Sequence, residues 1–304
     1  MAVQSSTAKT DYAAVNAIIA IDNPVVRKGL TEALKHAGLT GITEIGQLPD
    51  LREALEASVY DLLVVASELG DSFIGPVITE LRDGRLNHHP FPLVIVYVTK
   101  GAPDHVRQAI DCGPDDLLLF PVVPGQVLAR LEILKDRRKP FVVTHDYTGP
   151  DRRKEMRPGD EKVPLIEVPN PLKVRVNKLS PEELDAAILR TVVQLAPLKV
   201  EAHAVQLAWA SAAIATMFAE RKFDAPVLKG HLLRLKRIAA ELSQRFPAAA
   251  TPPFVALRGQ LAAATDAILR AGPAAEPAAV EALTASANKL AEQIHRVAAE
   301  QKEE

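Results

Sequence analysis

The chain has 304 residues, of which 48% are apolar and 24% charged, with a formal net charge of -2. That length suggests about two domains, and that composition excludes a chain too polar to build a core. The charge excludes a nucleic-acid footprint spread over the whole protein, and no nucleic-acid partner is expected. Cys112 is the single cysteine, which excludes an internal disulfide and fits a reducing cytoplasm. Residues 1–13 begin polar, lack the apolar run of a signal peptide and are expected to form a disordered tail.

Val15 to Ile21 is a short apolar run, the pattern of a strand covered on both faces. Asn23 can cap the following helix and Pro24 suits its first turn, with Val26, Leu30 and Leu34 at helical spacing and Gly38 closing it. Ile42 to Gly46 predicts a weaker strand, and Pro49 to Ala57 a helix. Asp61 to Ala66 ("DLLVVA") predicts a strong buried strand, Pro76 to Leu86 a helix, and Leu93 to Val98 ("LVIVYV") a third strong strand. Pro103 to Cys112 predicts a helix closed by Gly113, Leu117 to Phe120 the last strand, and Gly125 to Arg137 the last helix. Short apolar strands alternating with helices imply a doubly wound, five-stranded parallel sheet. Ligands of such sheets gather at the carboxyl ends of the strands, here in the loops after Ile21, Ala66, Val98 and Phe120.

Residues 14–138 resemble the receiver domain of two-component response regulators, a flavodoxin-like fold. The resemblance rests on "IDNPVVRKGL", "YDLLVVASELGDSFIG" and "VIVYVTKGAPDHVRQAIDCGPDDLLLFPVVPGQVLARL" in that order, and "FVVTHDYTGPDRRK" resembles an extension found after some receivers. Receivers accept a phosphoryl group on an aspartate after the third strand. Acids after the first strand hold a divalent cation, while a hydroxyl after the fourth and a lysine after the fifth bind the phosphoryl oxygens.

Matched position by position, this chain has lost most of that set. The acid pair is Ile21 and Asp22, the acceptor position is Ala66, and the lysine position is Phe120, which precedes Pro121. The family often has a cis peptide at the position of that proline. Only Asp22 and Thr99 remain, as remnants. The resemblance therefore implies a pseudo-receiver with no catalytic, cofactor-binding or metal site and no cofactor. Ser67, Glu68 and Asp71 are not expected to take over, since one step along a strand turns the side chain around and Asp71 lies in the turn.

Residues 139–178 are rich in proline and mixed charge, and read as a linker or extension; the basic cluster Arg152, Arg153, Lys154 and Arg157 is interleaved with acids. "PLIEVPNPLKVRV" reads as extended chain packed on a domain surface, with a turn at Asn170-Pro171.

Residues 179–304 predict a separate all-α helical bundle. Ser180-Pro181-Glu182-Glu183 is a capping box, followed by a stripe of Leu184, Ile188, Val192 and Leu195, and Pro197 is expected to end or kink that helix. Ala202 to Ala219 carries no formal charge; alanine gains little from lipid, so a buried bundle helix is expected and no membrane partner. Leu228 to Phe246, Phe254 to Ala271 and Val280 to Val297 repeat apolar residues in steps of three and four, which predicts an antiparallel bundle of about four or five helices. "VLKGH", Val227 to His231, resembles the histidine phosphotransfer motif, but Pro226 stands where the acceptor histidine would be. His203, His231, His295 and the pair His88-His89 read as ordinary surface histidines.

The expected function is non-catalytic: a cytoplasmic bacterial signalling or scaffold protein of phosphorelay type that acts through protein-protein contacts, with protein partners and a homodimer as its associations. The alternative is a genuine phosphorelay response regulator with an atypical phosphorylation site.

Overall fold

The structure, a computed structural model, describes residues 10–86, 89–99, 101–121, 123–144, 147–152, 163–245 and 251–303. Two compact units divide the chain, residues 1–195 and 196–304.

The first unit opens with β1 (Asn16–Ala20), α1 (Pro24–His36), β2 (Gly41–Ile45) and α2 (Leu48–Ala57). There follow β3 (Leu62–Ala66), a two-residue hairpin of β4 (Glu68–Leu69) and β5 (Ser72–Phe73), and α3 (Gly75–Arg82). Next come β6 (Leu93–Val98), α4 (Pro103–Asp111), β7 (Asp116–Leu119) and α5 (Pro124–Asp136). Every predicted strand and helix of this stretch is present, with ends shifted by a few residues. β1, β2, β3, β6 and β7 form one parallel sheet in the order β2-β1-β3-β6-β7. α1 packs with α5 and α3 with α4 beside it. β3 and β6 are buried at every residue, which is why they read as unbroken apolar runs. The Asn23 side chain accepts from the Val25 and Val26 amides at 3.0 and 3.2 Å, so the predicted cap forms.

The tail expected over 1–13 stops short of Tyr12. Its ring is buried in the core, and its hydroxyl donates to Glu132 Oε1 at 2.5 Å. Burial, then the neighbouring Glu132 carboxylate, raises the Tyr12 hydroxyl above its ordinary range.

The unit continues beyond Arg138. β8 (Phe141–Val143) and β9 (Thr148–Pro150) form an antiparallel hairpin, and Phe141 also bridges to Ile166. α6 (Pro171–Val176) then forms where extended chain is predicted. Asn170 is its cap: the side chain accepts from the Lys173 amide at 3.2 Å, and its amide nitrogen donates to Leu134 and Lys135 carbonyls at the end of α5. That cap and Pro171 in the first turn outweigh the β-branched residues of "PLKVRV". Leu172 is buried in the receiver-like core. The basic residues Arg153, Lys154 and Arg157 lie outside the described residues; Arg152 donates to the Pro114 carbonyl.

This extension is fastened by a buried ionic network. Arg82 is 2% exposed and donates to Asp115 Oδ2 at 2.7 Å, to Gly113 O at 2.8 Å, and to Pro90 and Pro92 carbonyls at 2.7 and 2.8 Å. Arg138 donates to Asp115 Oδ1 at 2.8 Å and to the carbonyls of Phe91 and Pro169 at 2.7 and 2.5 Å. Both guanidinium groups lie over the Phe141 ring, 5.2 and 5.1 Å from its centre. Burial alone would raise the Asp115 carboxyl; Arg138 and Arg82 reverse that and hold it below the usual carboxylate range. Gly113 has φ of 89°, and a Cβ there would meet the Thr148 carbonyl at 2.6 Å, so the hairpin's close approach requires glycine.

Cys112 donates to the Ala109 carbonyl at 3.1 Å, and burial pushes its thiol up to about 12. A thiol almost never ionised is expected to resist alkylation in the native chain and to react once denaturant is added. Timed labelling followed by intact-mass measurement checks this; rapid native labelling would contradict the buried placement.

α7 (Pro181–Glu220) begins in the first unit and continues into the second. Pro197 lies inside it and does not end it. Ser180 Oγ accepts from the Glu183 amide at 3.2 Å and donates to Glu182 Oε2 at 2.6 Å, so the hydroxyl half of the capping box forms. Leu184 and Leu195 are buried as expected, but Thr191 takes the buried position assigned to Val192, which is exposed.

The second unit packs the later part of α7 with α8 (Ala225–Arg245), α9 (Pro252–Ala271) and α10 (Pro277–Glu303). Its core holds Ala204, Leu207 and Ile214 from α7 with Leu228, Leu235, Phe254, Leu261, Leu283, Leu290 and Ile294. Phe246, expected at the end of the α8 stripe, lies outside the described residues. α7 is the one described helix long and apolar enough to cross a membrane. Its buried positions also include His203, Gln206 and Ser211.

Candidate functional site

The carboxyl ends of β1, β3, β6 and β7 gather the positions a phosphoryl site would need. β3 ends on Ala66, fully buried, and Ile21 is fully buried just past the end of β1. Ile21 N donates to Ile45 O at 3.0 Å, and Phe120 N to Val98 O at 3.0 Å, so both residues prolong the sheet into its loops. The Phe120–Pro121 peptide is cis. Phe120 is 55% exposed, and its ring stands 6.5 Å from that of buried Tyr97. The position expected to match the receiver lysine is thus an exposed aromatic side chain.

Asp22 and Thr99, the two positions expected to remain of a receiver site, are weakly engaged. Asp22 is exposed, and its Oδ1 accepts from the Asn23 amide at 2.8 Å, a local turn contact. Thr99 is half-buried, and its amide donates to Ser67 Oγ at 3.5 Å. Ser67 is itself buried, with its amide on the Tyr97 carbonyl at 2.8 Å. Glu68 opens the β4–β5 hairpin, and Asp71 lies exposed in its turn. Among the described residues, no group of three or more His, Cys, Asp or Glu is placed to hold a metal ion.

Two residues of this end were not foreseen. Burial raises the Tyr97 hydroxyl above its ordinary range, and the charge of Asp22 adds to the rise. Arg27 on α1 donates through Nη1 to the Ile21 carbonyl and, at 3.2 Å, to the Asp22 carbonyl, while its Nε lies 3.7 Å from Glu44 Oε2 on β2. A fixed guanidinium thus satisfies the backbone at the end of β1. The spacing of Arg27 from Asp22 was visible in the sequence, but nothing there distinguished it from an ordinary surface arginine.

The histidines of the second unit are dispersed. His203 is buried and not at the surface as expected, with Nε2 3.1 Å from Glu241 Oε2. His231 packs edge-on against Trp209, ring centres 4.9 Å apart, and His295 is exposed. Pro226, at the phosphotransfer acceptor position, lies in the first turn of α8. In the first unit, His89 stacks near Phe91, whereas His88 lies outside the described residues.

A five-stranded parallel sheet in the order second-first-third-fourth-fifth, flanked by helices, is the flavodoxin-like fold of receivers, followed here by the β8–β9 hairpin and then by helices. The chain is similar to the response regulator DrrB, a Thermotoga maritima OmpR/PhoB homologue, at 18% identity over 42% of this chain and 55% of that one, with a TM-score of 0.35. It is similar to a Burkholderia pseudomallei response regulator at 22% identity, covering 38% of this chain and 65% of that one, TM-score 0.34. The receiver domain of the putative Mycobacterium tuberculosis regulator NarL is matched at 23% identity over 40% of this chain and 98% of that one, TM-score 0.34. The chain therefore spans 55% and 65% of the first two relatives. No family model and no curated protein matches the sequence.

Proposed function

We propose that this chain is a non-catalytic, cytoplasmic signalling or scaffold protein of two-component type, whose pseudo-receiver works by contact with protein partners and not by carrying phosphate. One observation carries the reading: β3 ends on Ala66, whose methyl group offers no nucleophile where the receiver chemistry needs a carboxylate. Ile21 and Phe120 agree with it, since one removes a cation ligand and the other removes the cation that would face the phosphoryl oxygens. Arg27 adds a second argument. A guanidinium bound to the carbonyls after β1 already places a positive charge there, which repels a divalent ion.

Magnesium separates this from an atypical but working receiver. A ligand held only by the native state raises stability by RT ln(1 + [L]/Kd), about 2.7 kcal/mol at a hundredfold excess over Kd. Millimolar magnesium is expected to leave the unfolding temperature of the first unit unchanged relative to the same ionic strength of sodium chloride. A saturable rise specific to the divalent ion would overturn the reading.

A further inference from the structure

Among the described residues, the early turns of α7 and the outer face of α8 each expose apolar side chains and are opposite in charge. On α7, Leu189 is 67% exposed and Val193 63%, with Val192 beside them. One to two turns earlier, the same face carries exposed Glu182 and Asp185 and no cation. On α8, Leu233 is 49% exposed, and within a turn on its own face stand exposed Lys229, Lys236 and Arg237 and no acid. Lys236 pairs with Asp266 at 2.8 Å, while Lys229 and Arg237 have no ion-pair partner among the described residues. Gly230 and Ala240 complete the α8 face with almost no side chain, so another helix can approach closely.

We propose that the α7 face of one copy of this chain docks antiparallel on the α8 face of a second copy. Set antiparallel with Leu189 on Leu233, helical rise brings Asp185 to the level of Arg237 and Glu182 about a turn beyond it. Val193 then lies over the stem of Lys229 and the open surface at Gly230. A parallel alignment would put Lys236 and Arg237 of α8 on Val192 and Val193 of α7. A second copy is the occupant because the chain itself supplies both halves: an apolar residue at the centre of each, acids on one and cations on the other. One helix pair buries less than the roughly 800 Å² per partner of a standard interface, so the association is weak and salt-sensitive. None of this depends on what occupies position 66.

Sedimentation velocity on the full chain tests the proposal. At low ionic strength a reversible association that begins with a dimer is expected at roughly tens of micromolar, able to grow because each pair leaves one α7 face and one α8 face open. It should weaken at least tenfold in about 1 M sodium chloride, where the Debye length is about 3 Å. Leu189→Asp and Arg237→Glu, both at exposed positions, are each expected to weaken it at least tenfold without lowering the unfolding temperature. Adding Asp185→Arg to Arg237→Glu is expected to restore most of the loss. A full chain that stays monomeric up to about 200 µM, a dimer indifferent to either single change, or an Arg237→Glu loss that Asp185→Arg does not repair would each overturn it.

Discussion

Asp115→Ala is expected to lower the stability of the first unit by about 3–5 kcal/mol, the usual consequence of stranding a buried charge. The loss is large because two arginines lose one carboxylate. Arg82, Asp115 and Arg138 side chains are 1%, 1% and 4% exposed, so water cannot take the carboxylate's place. The Val94 amide, 2.9 Å from Asp115 Oδ2, loses its acceptor as well. At roughly 2–4 °C per kcal/mol for a unit of this size, the unfolding temperature should fall by about 10 °C. Asp115→Asn keeps the shape and removes the charge, and should lie between the two. The dependence on pH follows from the depressed folded carboxyl. Its stabilisation is fully present above the unfolded value of about 3.9 and is lost as pH falls through the lower folded value. The wild-type chain should therefore lose part of its advantage over Asp115→Asn on acidification below about pH 4. Thermal unfolding followed by circular dichroism measures all of this; a fall of less than about 2 °C for Asp115→Ala would show that the network contributes little.

Ending the chain at Arg138 should be more severe still. That truncation removes Phe141 from beneath the two guanidiniums, and the Pro169 carbonyl that accepts from Arg138 goes with it. It removes Leu172 from the core and the Asn170 amide from the last carbonyls of α5. It also strips Arg175 from Asp61, whose carboxylate oxygens lie 3.2 and 3.3 Å from Arg175 Nε. Burial raises Asp61's carboxyl, an effect that the Asn16 amide and Arg175 oppose. Together these losses are comparable with the whole stability of a typical domain, about 5–15 kcal/mol. A fragment of residues 1–138 is expected to show no cooperative unfolding transition, whereas one of residues 1–195 should. A cooperative transition in the shorter fragment would mean that residues 139–178 are an accessory.

The parts of the fold legible in the sequence are those decided within a few residues. "DLLVVA" and "LVIVYV" could only be covered strands, and Asn23-Pro24 could only open a helix. Ala66 was singled out by the resemblance to receivers and not by the strand pattern alone, and the structure places it at the end of β3. What escaped reading depends on residues far apart in the chain. Asp61 meets Arg175 across 114 residues, and Tyr12 meets Glu132 across 120. Arg82 and Arg138 carry no signal of burial in the sequence, since only the folded chain delivers the Asp115 carboxylate between them. α6 had readable start signals in Asn170 and Pro171, but its valines favour extended chain; the cap contacts of Asn170, with burial of Leu172, decided otherwise.

The most direct measurement is the intact mass of the full chain after incubation with acetyl phosphate and magnesium, read beside a phosphorylatable receiver as control. The absence of an acyl-phosphate oxygen donor at the end of β3 predicts an unchanged mass while the control gains one phosphoryl group. A stoichiometric, hydroxylamine-labile phosphoryl adduct on this chain would contradict the account.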